Sequence, residues 1–364
     1  MKPKWGPATR AVVLTERSRP GGMPVSPPLI RTTTFAHENS SVFAERFQGR
    51  HPAFYQRLGN PTVVEAEARL CAMEEAGDCI LFGSGMAAIT ATLLAMLRPG
   101  ERILMQESIY GQTATLAQAR LVFVETPCNA WLQVVDISAI AEIAKCAGAQ
   151  LIVDSTFASP CLQQPLKLGE SFVVHSGTKY LAGHSDVMCG AVLGSRELLA
   201  PIREMRMNTG GLLDPSAAWL LLRGIRTLPI RILRQSATAM EIARFLSGTP
   251  RVRAVHYPYL SGHPMFDVAS RQMAAGGGVV SFELDGGIEI GRTFVEALRL
   301  IPIATSLGGV ESLVEVPADL DYSADGSGGT TALRDARRCL VRLSVGLEDA
   351  ADLIDDLKQA LEHV

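Results

Sequence analysis

The chain has 364 residues, 47% of them hydrophobic and 20% charged, with a formal net charge of −3. That length exceeds one compact core, so we expect a globular protein of two or more domains. The interspersed charges leave no basic field for nucleic acid or anionic lipid, and no apolar run reaches the length of a membrane span or signal peptide, so we expect a cytoplasmic protein.

The first 60 residues predict an extended arm. They are rich in Pro, Gly, Arg and Thr and show little hydrophobic periodicity, which is typical of a segment without a packed core of its own. Such arms often lie on a neighbouring subunit.

Short apolar runs that alternate with helical patterns predict a parallel, doubly covered sheet within residues 61–235. The runs cover residues 79–82, 102–105, 121–124, 151–153, 172–174 and 191–193. This alternation arises when each strand is followed by a helix that packs on one face of the sheet. An α/β large domain follows from it.

A second domain is expected over residues 236–364. Residues 215–245 have helical spacing and bridge the two domains. Residues 279–284 and 340–345 alternate like strands of a smaller, half-exposed sheet, each followed by a helix, which indicates an α+β unit. The glycine-rich residues 325–329 predict a flexible loop.

Lys179 is the first candidate for chemistry. It follows the predicted strand 172–174 in the sequence His-Ser-Gly-Thr-Lys-Tyr, so its amine should lie at a carboxyl end, where open α/β sheets bind ligands. Ser176 and Thr178 add hydroxyl groups that suit a phosphate. The alternative is an ordinary surface lysine after a strand.

Two further features stand at the ends of neighbouring predicted strands. Asp154 closes the run 151–153, where a carboxylate can pair with a protonated ring nitrogen, although turn and helix-capping aspartates are common there. Gly83-Ser84-Gly85-Met86 links strand 79–82 to an apolar helix, an arrangement that offers backbone N–H groups to phosphate. A lone Gly-x-Gly turn is weak evidence, but the three features together favour a phosphorylated cofactor.

The cysteines do not indicate a metal or a disulfide framework. There are seven, scattered, odd in number and without a Cys-x-x-Cys pair. They are Cys71, Cys79, Cys128, Cys146, Cys161, Cys189 and Cys339. We expect reduced, mostly buried thiols and no structural zinc.

Six ordered motifs carry a resemblance to a known family. They occupy residues 55–62, 84–89, 153–156, 175–186, 306–312 and 341–349. The chain resembles, over nearly its whole length, the Cys/Met-metabolism family of pyridoxal-phosphate enzymes, which includes methionine γ-lyase, cystathionine γ-lyase, cystathionine γ-synthase and cystathionine β-lyase. The resemblance implies an aminotransferase-like fold, with a large α/β domain around a mostly parallel sheet and a smaller α+β domain.

The resemblance also implies how the cofactor, pyridoxal 5′-phosphate, is held. Lys179 would carry it as a Schiff base, Asp154 would pair with its pyridine nitrogen, and Tyr110 would stack on the ring and assist proton transfer. The remaining cofactor-binding residues would be Gly85, Met86, Ser176, Thr178 and Asn129, with Tyr55 and Arg57 reaching across from a partner subunit. Such shared sites require at least a homodimer, and the family is usually a homotetramer.

For the substrate, the resemblance assigns the carboxylate to Arg342, with Ser306 nearby. Strand alternation places Arg342 on the face opposite Val341 and Leu343, so a bidentate clamp is reasonable. The alternative is a surface ion pair. Lys179 would then act as general base, with Tyr110 sharing the proton transfers, in a γ-elimination that gives a thiol, ammonia and a 2-oxo acid.

The chain departs from the family at positions that bear on specificity. Cystathionine-processing members usually have acidic residues where this chain has Phe54 and Thr305, which favours a smaller thioether such as methionine or homocysteine. Methionine γ-lyases typically have a cysteine where Gln112 stands, and Asp321-Tyr322 replaces a usual Thr-His. Open alternatives are γ-replacement on an O-acylhomoserine, transamination, and a non-catalytic cofactor-binding protein.

The crossover after Tyr110 is short. Only residues 111–120 separate Tyr110 from the next predicted strand, about 25 to 30 residues fewer than the resemblance implies for a crossover of this kind. The missing piece would be an edge strand and its helices. This shortening motivates the non-catalytic alternative.

Overall fold

Two β-sheets organise the chain, one built before residue 195 and the other after residue 251. The computed structural model describes residues 5–13, 24–106, 121–169, 171–320 and 340–364. The larger sheet has six strands and the smaller one four.

The larger sheet confirms all six predicted strands. They are β1 Asp78–Phe82, β2 Ile103–Met105, β3 Leu121–Glu125, β4 Gln150–Asp154, β5 Phe172–Ser176 and β6 Gly190–Gly194. Their order across the sheet is β1-β6-β5-β4-β3-β2. Neighbours from β2 to β5 pair in parallel, whereas β6 runs antiparallel to both β5 and β1. The sheet is therefore mostly parallel, with one reversed strand.

Helices surround both sheets. Within the described residues they are α1 Pro7–Val12, α2 Ser40–Gln48, α3 Pro61–Glu74, α4 Gly85–Met96, α5 Ile137–Cys146, α6 Ser159–Leu162, α7 Arg196–Thr209, α8 Pro215–Ser247, α9 Phe266–Gln272, α10 Ile288–Ala297 and α11 Ala350–Leu361. Single turns of 3-10 helix cover Pro165–Leu168 and Pro317–Asp319. In the part of the chain that the structure describes, no helix combines the length and the apolar character needed to cross a membrane.

The larger sheet is covered on both faces, as its continuous apolar strands predict. Ile80 and Phe82 pack with side chains of α4 and α7 on one face. Leu81, between them in sequence, packs with α3 and α8 on the other. Because successive side chains of a strand point to opposite faces, strands covered on both sides must be apolar throughout.

The smaller sheet contains β7 Val252–His256, β8 Val279–Leu284, β9 Leu313–Glu315 and β10 Leu340–Ser344. Its order is β7-β8-β10-β9, and all its pairs are antiparallel. The prediction of a half-exposed sheet is wrong for the two central strands, which are buried at every position.

These two strands are buried on both sides because the polar face of the smaller sheet contacts the segment after β3. Val341 and Leu343 point toward α8 and α11 and form the smaller core. On the other face the Ser281 hydroxyl donates a hydrogen bond of 2.5 Å to the carbonyl of Ala130, which lies in the segment after β3. The alternation of apolar and polar residues in these strands therefore reflects two buried faces, of which one is apolar and the other polar.

Helix α8 connects the two sheets over its 33 residues. Its buried Arg231 donates to the carbonyl of Tyr180, next to Lys179, and its buried Gln235 donates to the carbonyl of Gly309, in the Ser-Leu-Gly-Gly motif. One rigid helix thus fixes two loops that come from different parts of the sequence. The division into residues 1–60, 61–235 and 236–364 stays a prediction.

Candidate active site

The carboxyl edge of the larger sheet brings the predicted cofactor residues together. Asp154 is the last residue of β4, Ser176 is the last residue of β5, and Lys179 follows three positions later. Gly85 begins α4 three positions beyond the end of β1. Strand ends that are distant in sequence therefore supply one site.

The Lys179 side chain points toward the loop that carries Ser306. Its Nζ donates a hydrogen bond of 2.7 Å to the hydroxyl of Ser306. The pKa of Lys179 is lowered to about 8, chiefly by burial and also by the nearby Arg342, whereas Glu315 acts in the opposite direction. A larger share of neutral amine is thus present near neutral pH than an ordinary lysine provides, which suits both attack on a carbonyl carbon and proton abstraction.

The loop that carries Ser306 has an unusual backbone. Ser306 has a φ of 86° and Gly308 a φ of 76°, both in the left-handed region. A Cβ at Gly308 would lie 2.7 Å from the backbone nitrogen of Tyr180. The glycine therefore allows the Ser306 loop to lie against the Lys179 loop, and the strained serine is of the kind that collects at functional sites.

Arg342 lies on β10 and is 5% exposed. Its Nη1 donates to Asn129 Oδ1 and its Nη2 donates to the carbonyl of Ser306, both at 2.8 Å. Glu315 Oε2 lies 2.9 Å from Nη2. This burial excludes the alternative of a surface ion pair and fixes the guanidinium beside Lys179.

Asp154 keeps one oxygen for a further partner. The backbone N–H and the hydroxyl of Thr156 both donate to Oδ1, at 3.0 and 2.5 Å, and no donor among the described residues contacts Oδ2. Burial raises the pKa of Asp154, against the Thr156 hydrogen bonds and the charge of His175. Asp154 is thus a turn residue as well, but a cationic ring N–H at Oδ2 would favour its ionised form.

The predicted phosphate site is tightly built. Ser176 stands opposite Gly190 in the pairing of β5 with β6, and any side chain at Gly190 would overlap with the Ser84 carbonyl and the Gly85 Cα. The Ser84 hydroxyl accepts from the Ala87 N–H and caps α4. The positive end of this helix, where Gly85 and Met86 lie, therefore sits beside the Ser176 hydroxyl.

Thr178 is placed less favourably than the sequence predicts. Its hydroxyl donates to the carbonyl of Cys189 at 3.2 Å and accepts from the Cys189 N–H at 3.0 Å. To donate to a phosphate it would have to release the carbonyl. The other groups fit pyridoxal phosphate, since an amine, an open carboxylate oxygen and a helix N-terminus lie along one sheet edge.

Two predicted residues, Tyr55 and Arg57, are not brought to this site within the single chain. Tyr55 is 42% exposed on the arm, and the Arg57 guanidinium lies 5.4 Å from the centre of its ring. Within the described part of the single chain, neither side chain contacts the Lys179 region. Tyr110 lies outside the described residues, as do residues 111–120, Asp321-Tyr322, the 325–329 loop and Cys339.

Glu315, which forms an ion pair with Arg342, was not singled out by the sequence analysis. It lies on β9, a strand of three residues that is too short for a periodicity signal. One signal could have indicated it. Glu315 is an acidic residue shortly after the Ser-Leu-Gly-Gly motif, and an acidic residue there could pair with the predicted substrate arginine.

Comparison with known proteins matches this geometry. The family described as Cys/Met metabolism PLP-dependent enzyme covers residues 8–120 and 114–362. This chain belongs to that family. Its cofactor is pyridoxal 5′-phosphate, and the family members are enzymes that act on sulfur-containing amino acids.

Individual members of the Cys/Met-metabolism family are similar over almost their full length. An L-methionine gamma-lyase of Pseudomonas putida is 39% identical, with 98% of this chain and 97% of that protein covered. A cystathionine gamma-synthase of Mycobacterium bovis is 40% identical with the same coverage. The crystal structure of metB from Corynebacterium glutamicum superposes with a TM-score of 0.91 at 36% identity, covering 99% of this chain and 98% of the other. The predicted fold class is thereby confirmed.

Proposed function

We propose that this chain removes the sulfur group of methionine or homocysteine, or of cystathionine, by γ-elimination, giving a thiol, ammonia and a 2-oxo acid. One observation carries the proposal. Ser306 accepts a hydrogen bond from the Lys179 amine through its hydroxyl and one from Arg342 through its carbonyl. A base and a carboxylate-binding group are thus held on the same residue.

Arg342 orients the substrate. Its guanidinium binds the α-carboxylate, while Asn129 and Ser306 hold the guanidinium from two sides. A planar, permanently charged donor pair suits a carboxylate, and burial strengthens the interaction. The Cα of a substrate bound in this way faces the Lys179 amine.

Lys179 moves the protons. Its lowered pKa, about 8, allows the amine to take the proton from Cα, and Tyr110 shares the later transfers. When bound, pyridoxal phosphate supplies the electron sink for the carbanion. Asp154 would hold the ring nitrogen, and Gly85, Met86 and Ser176 would hold the phosphate, joined by Thr178 when its hydroxyl releases the Cys189 carbonyl.

The arm completes the site from a second subunit. Tyr55 and Arg57 are exposed on one chain and contact no residue of its own site, which supports a homodimer or homotetramer in which they reach the phosphate of the neighbour.

The same arm supports a substrate with a small, uncharged distal group. Phe54, next to Tyr55, stacks on His37 with ring centroids 5.2 Å apart and packs against Phe43 and Phe47. Thr305, next to Ser306, is exposed and uncharged. Neither Phe54 nor Thr305 offers a carboxylate to the distal ammonium of cystathionine, which favours methionine or homocysteine.

Two other functions have an observation in their favour. Replacement of the acyl group of an O-acylhomoserine by a thiol uses the same residues, and the 40% identical Mycobacterium bovis protein is a cystathionine gamma-synthase. A non-catalytic cofactor-binding role is favoured by the shortened crossover, since the two pieces that match the family overlap at residues 114–120.

Product analysis tests the proposal. Purified protein loaded with the cofactor is given L-methionine, L-homocysteine or L-cystathionine, and thiol and 2-oxo acid are measured, with Lys179→Ala as control. Release of both products by the wild type alone supports elimination. A new thioether from O-acetylhomoserine and cysteine, without 2-oxo acid from the other substrates, would establish replacement instead. Cofactor binding without any turnover would contradict both.

A further inference from the structure

Glu315 is a buried acidic residue to which the proposed chemistry gives no role. It ends β9 and is 7% exposed. In the antiparallel pairing of β9 with β10, it stands directly opposite Arg342. Strand register therefore places a carboxylate against the guanidinium that we propose to bind the carboxylate of the substrate.

The contact between Glu315 and Arg342 is an ion pair. Oε2 lies 2.9 Å from Nη2, and the two side chains are 9% and 5% exposed. Nη2 donates its hydrogen bond to the Ser306 carbonyl, whereas Glu315 Oε2 has no hydrogen-bond partner among the described residues. Charge, rather than an aligned hydrogen bond, holds the pair together.

Glu315 also acts on Lys179. Arg342 from β10 lowers the pKa of the lysine, in the same direction as burial, and Glu315 from β9 raises it. Lys179 and Arg342 in turn lower the pKa of Glu315, which burial raises. At the carboxyl edge of the larger sheet, the charge of His175 acts on Asp154, and His175 pairs with the buried Glu74.

We propose that Glu315 is a positioning residue for Arg342 and Lys179, whose negative charge holds the guanidinium against Ser306 and offsets one of the two positive charges beside the reacting amine. The inference rests on the proposed function, because it assigns Glu315 to the same site. Loss of Glu315 would remove a carboxylate that lies beside both buried cations, and like charges in a low dielectric repel strongly.

The test measures the protonation of Lys179 without turnover. Cofactor-free wild type, Glu315→Gln, Glu315→Asp and Glu283→Gln are mixed with pyridoxal 5′-phosphate, and the rate at which the bound-cofactor absorbance band appears is followed against pH. Only the neutral amine attacks the cofactor aldehyde, so the rate rises with pH as Lys179 loses its proton. Ionisations of the free cofactor are common to all four proteins and cancel in the comparison.

The expected results differ between variants. The wild-type midpoint lies near the lysine pKa of about 8. Glu315→Gln shifts it to lower pH by about 0.5 to 1 unit, as expected for losing one nearby charge. Glu315→Asp keeps the charge and stays near the wild type. In turnover, Glu315→Gln raises KM by about three- to tenfold and changes kcat less, because Arg342 loses one of its anchors.

Glu283 is the matched control. It lies on β8 of the same sheet, is 9% exposed, and pairs with Arg253 and His256. Replacing it by glutamine removes a similar carboxylate without touching the Lys179 region. Its midpoint and KM are expected to match the wild type.

Each outcome decides something. A Glu315→Gln midpoint equal to or above that of the wild type would overturn the inference while leaving the proposed function intact. A wild type that captures no cofactor would contradict the proposed function itself. Circular dichroism shows whether Glu315→Gln folds; if it does not, the aspartate variant decides, since a midpoint below that of the wild type would show that the charge is not what matters.

Discussion

The two halves of the candidate site are built in different ways. Lys179 and Asp154 stand at or just after the ends of adjacent strands of one sheet, so each belongs to a short local motif. Arg342, Ser306 and Asn129 come from three distant segments and meet only through packing of the two sheets. The residues of the cofactor half therefore follow from local sequence, whereas those of the substrate half come together only through the packing of the two sheets.

The largest effect is expected from the cofactor half. Lys179→Ala removes the proposed base, and we expect turnover to fall by at least about 10³-fold, since positioned general bases contribute about 10² to 10⁴ and this lysine is also proposed to carry the cofactor. Lys167→Ala, which removes an exposed lysine paired with Glu75, is the control. Rates of 2-oxo acid release measure the effect, and a Lys179→Ala variant with near wild-type turnover would refute the assignment.

A substitution in the substrate half should change KM more than cofactor affinity. Arg342→Lys keeps the charge but loses the planar donor pair, so we expect KM for the amino acid to rise by about 10- to 100-fold, as for loss of a charged hydrogen bond. Cofactor affinity should stay nearly unchanged.

Arg253→Lys on the edge strand of the same sheet is the matched control for Arg342→Lys, because that side chain is 54% exposed and lies outside the site. Steady-state kinetics and cofactor titration separate the two halves. If Arg342→Lys lost cofactor affinity and kept its KM, Arg342 would belong to the cofactor half of the site and not to the substrate half.

One added methyl group should weaken the packing of the Ser306 loop against the Lys179 loop. Gly308→Ala forces a side chain into a backbone with a φ of 76° and against Tyr180, so we expect a loss of about 1 to 3 kcal/mol in the free energy of unfolding. Gly248→Ala, where a Cβ would come no nearer than 3.6 Å to another atom, should change it by less than about 1 kcal/mol. Denaturant titration at fixed protein concentration compares them; equal losses would contradict the proposed close packing.

The smallest effect is expected on the arm. Phe54→Glu places a carboxylate next to Tyr55, and we expect the ratio of kcat/KM for cystathionine over that for methionine to rise about fivefold, the equivalent of about 1 kcal/mol from one exposed ion pair. Phe47→Glu, in the same aromatic group but on α2, is the control. If both variants changed this ratio of kcat/KM values equally, Phe54 would have no specific effect on substrate choice.

The sequence predicted well what depends on local pattern. All six strands of the larger sheet, α8, and the placement of Lys179 and Asp154 follow from apolar periodicity and from residues at strand ends. The family resemblance predicted that Arg342 and Ser306 are neighbours, and the structure places them in contact. Periodicity alone could not predict this contact.

The remaining features depend on tertiary contacts. Glu315 became visible only through the register of a three-residue strand. The Thr178 hydroxyl is bound to the Cys189 backbone because β6 returns beside it, a pairing that no local pattern encodes. The buried second face of the smaller sheet likewise results from contact with the segment after β3. The roles of Tyr55 and Arg57 depend on a second subunit and stay predictions.

The most direct test of the central claim is to reduce the cofactor-loaded protein with borohydride, digest it and locate the modified peptide by mass spectrometry. We predict one cofactor per chain on the peptide that contains Lys179, with Lys179→Arg unlabelled. A label on another lysine, or none on the wild type, would contradict the assignment of Lys179 as the residue that carries the cofactor.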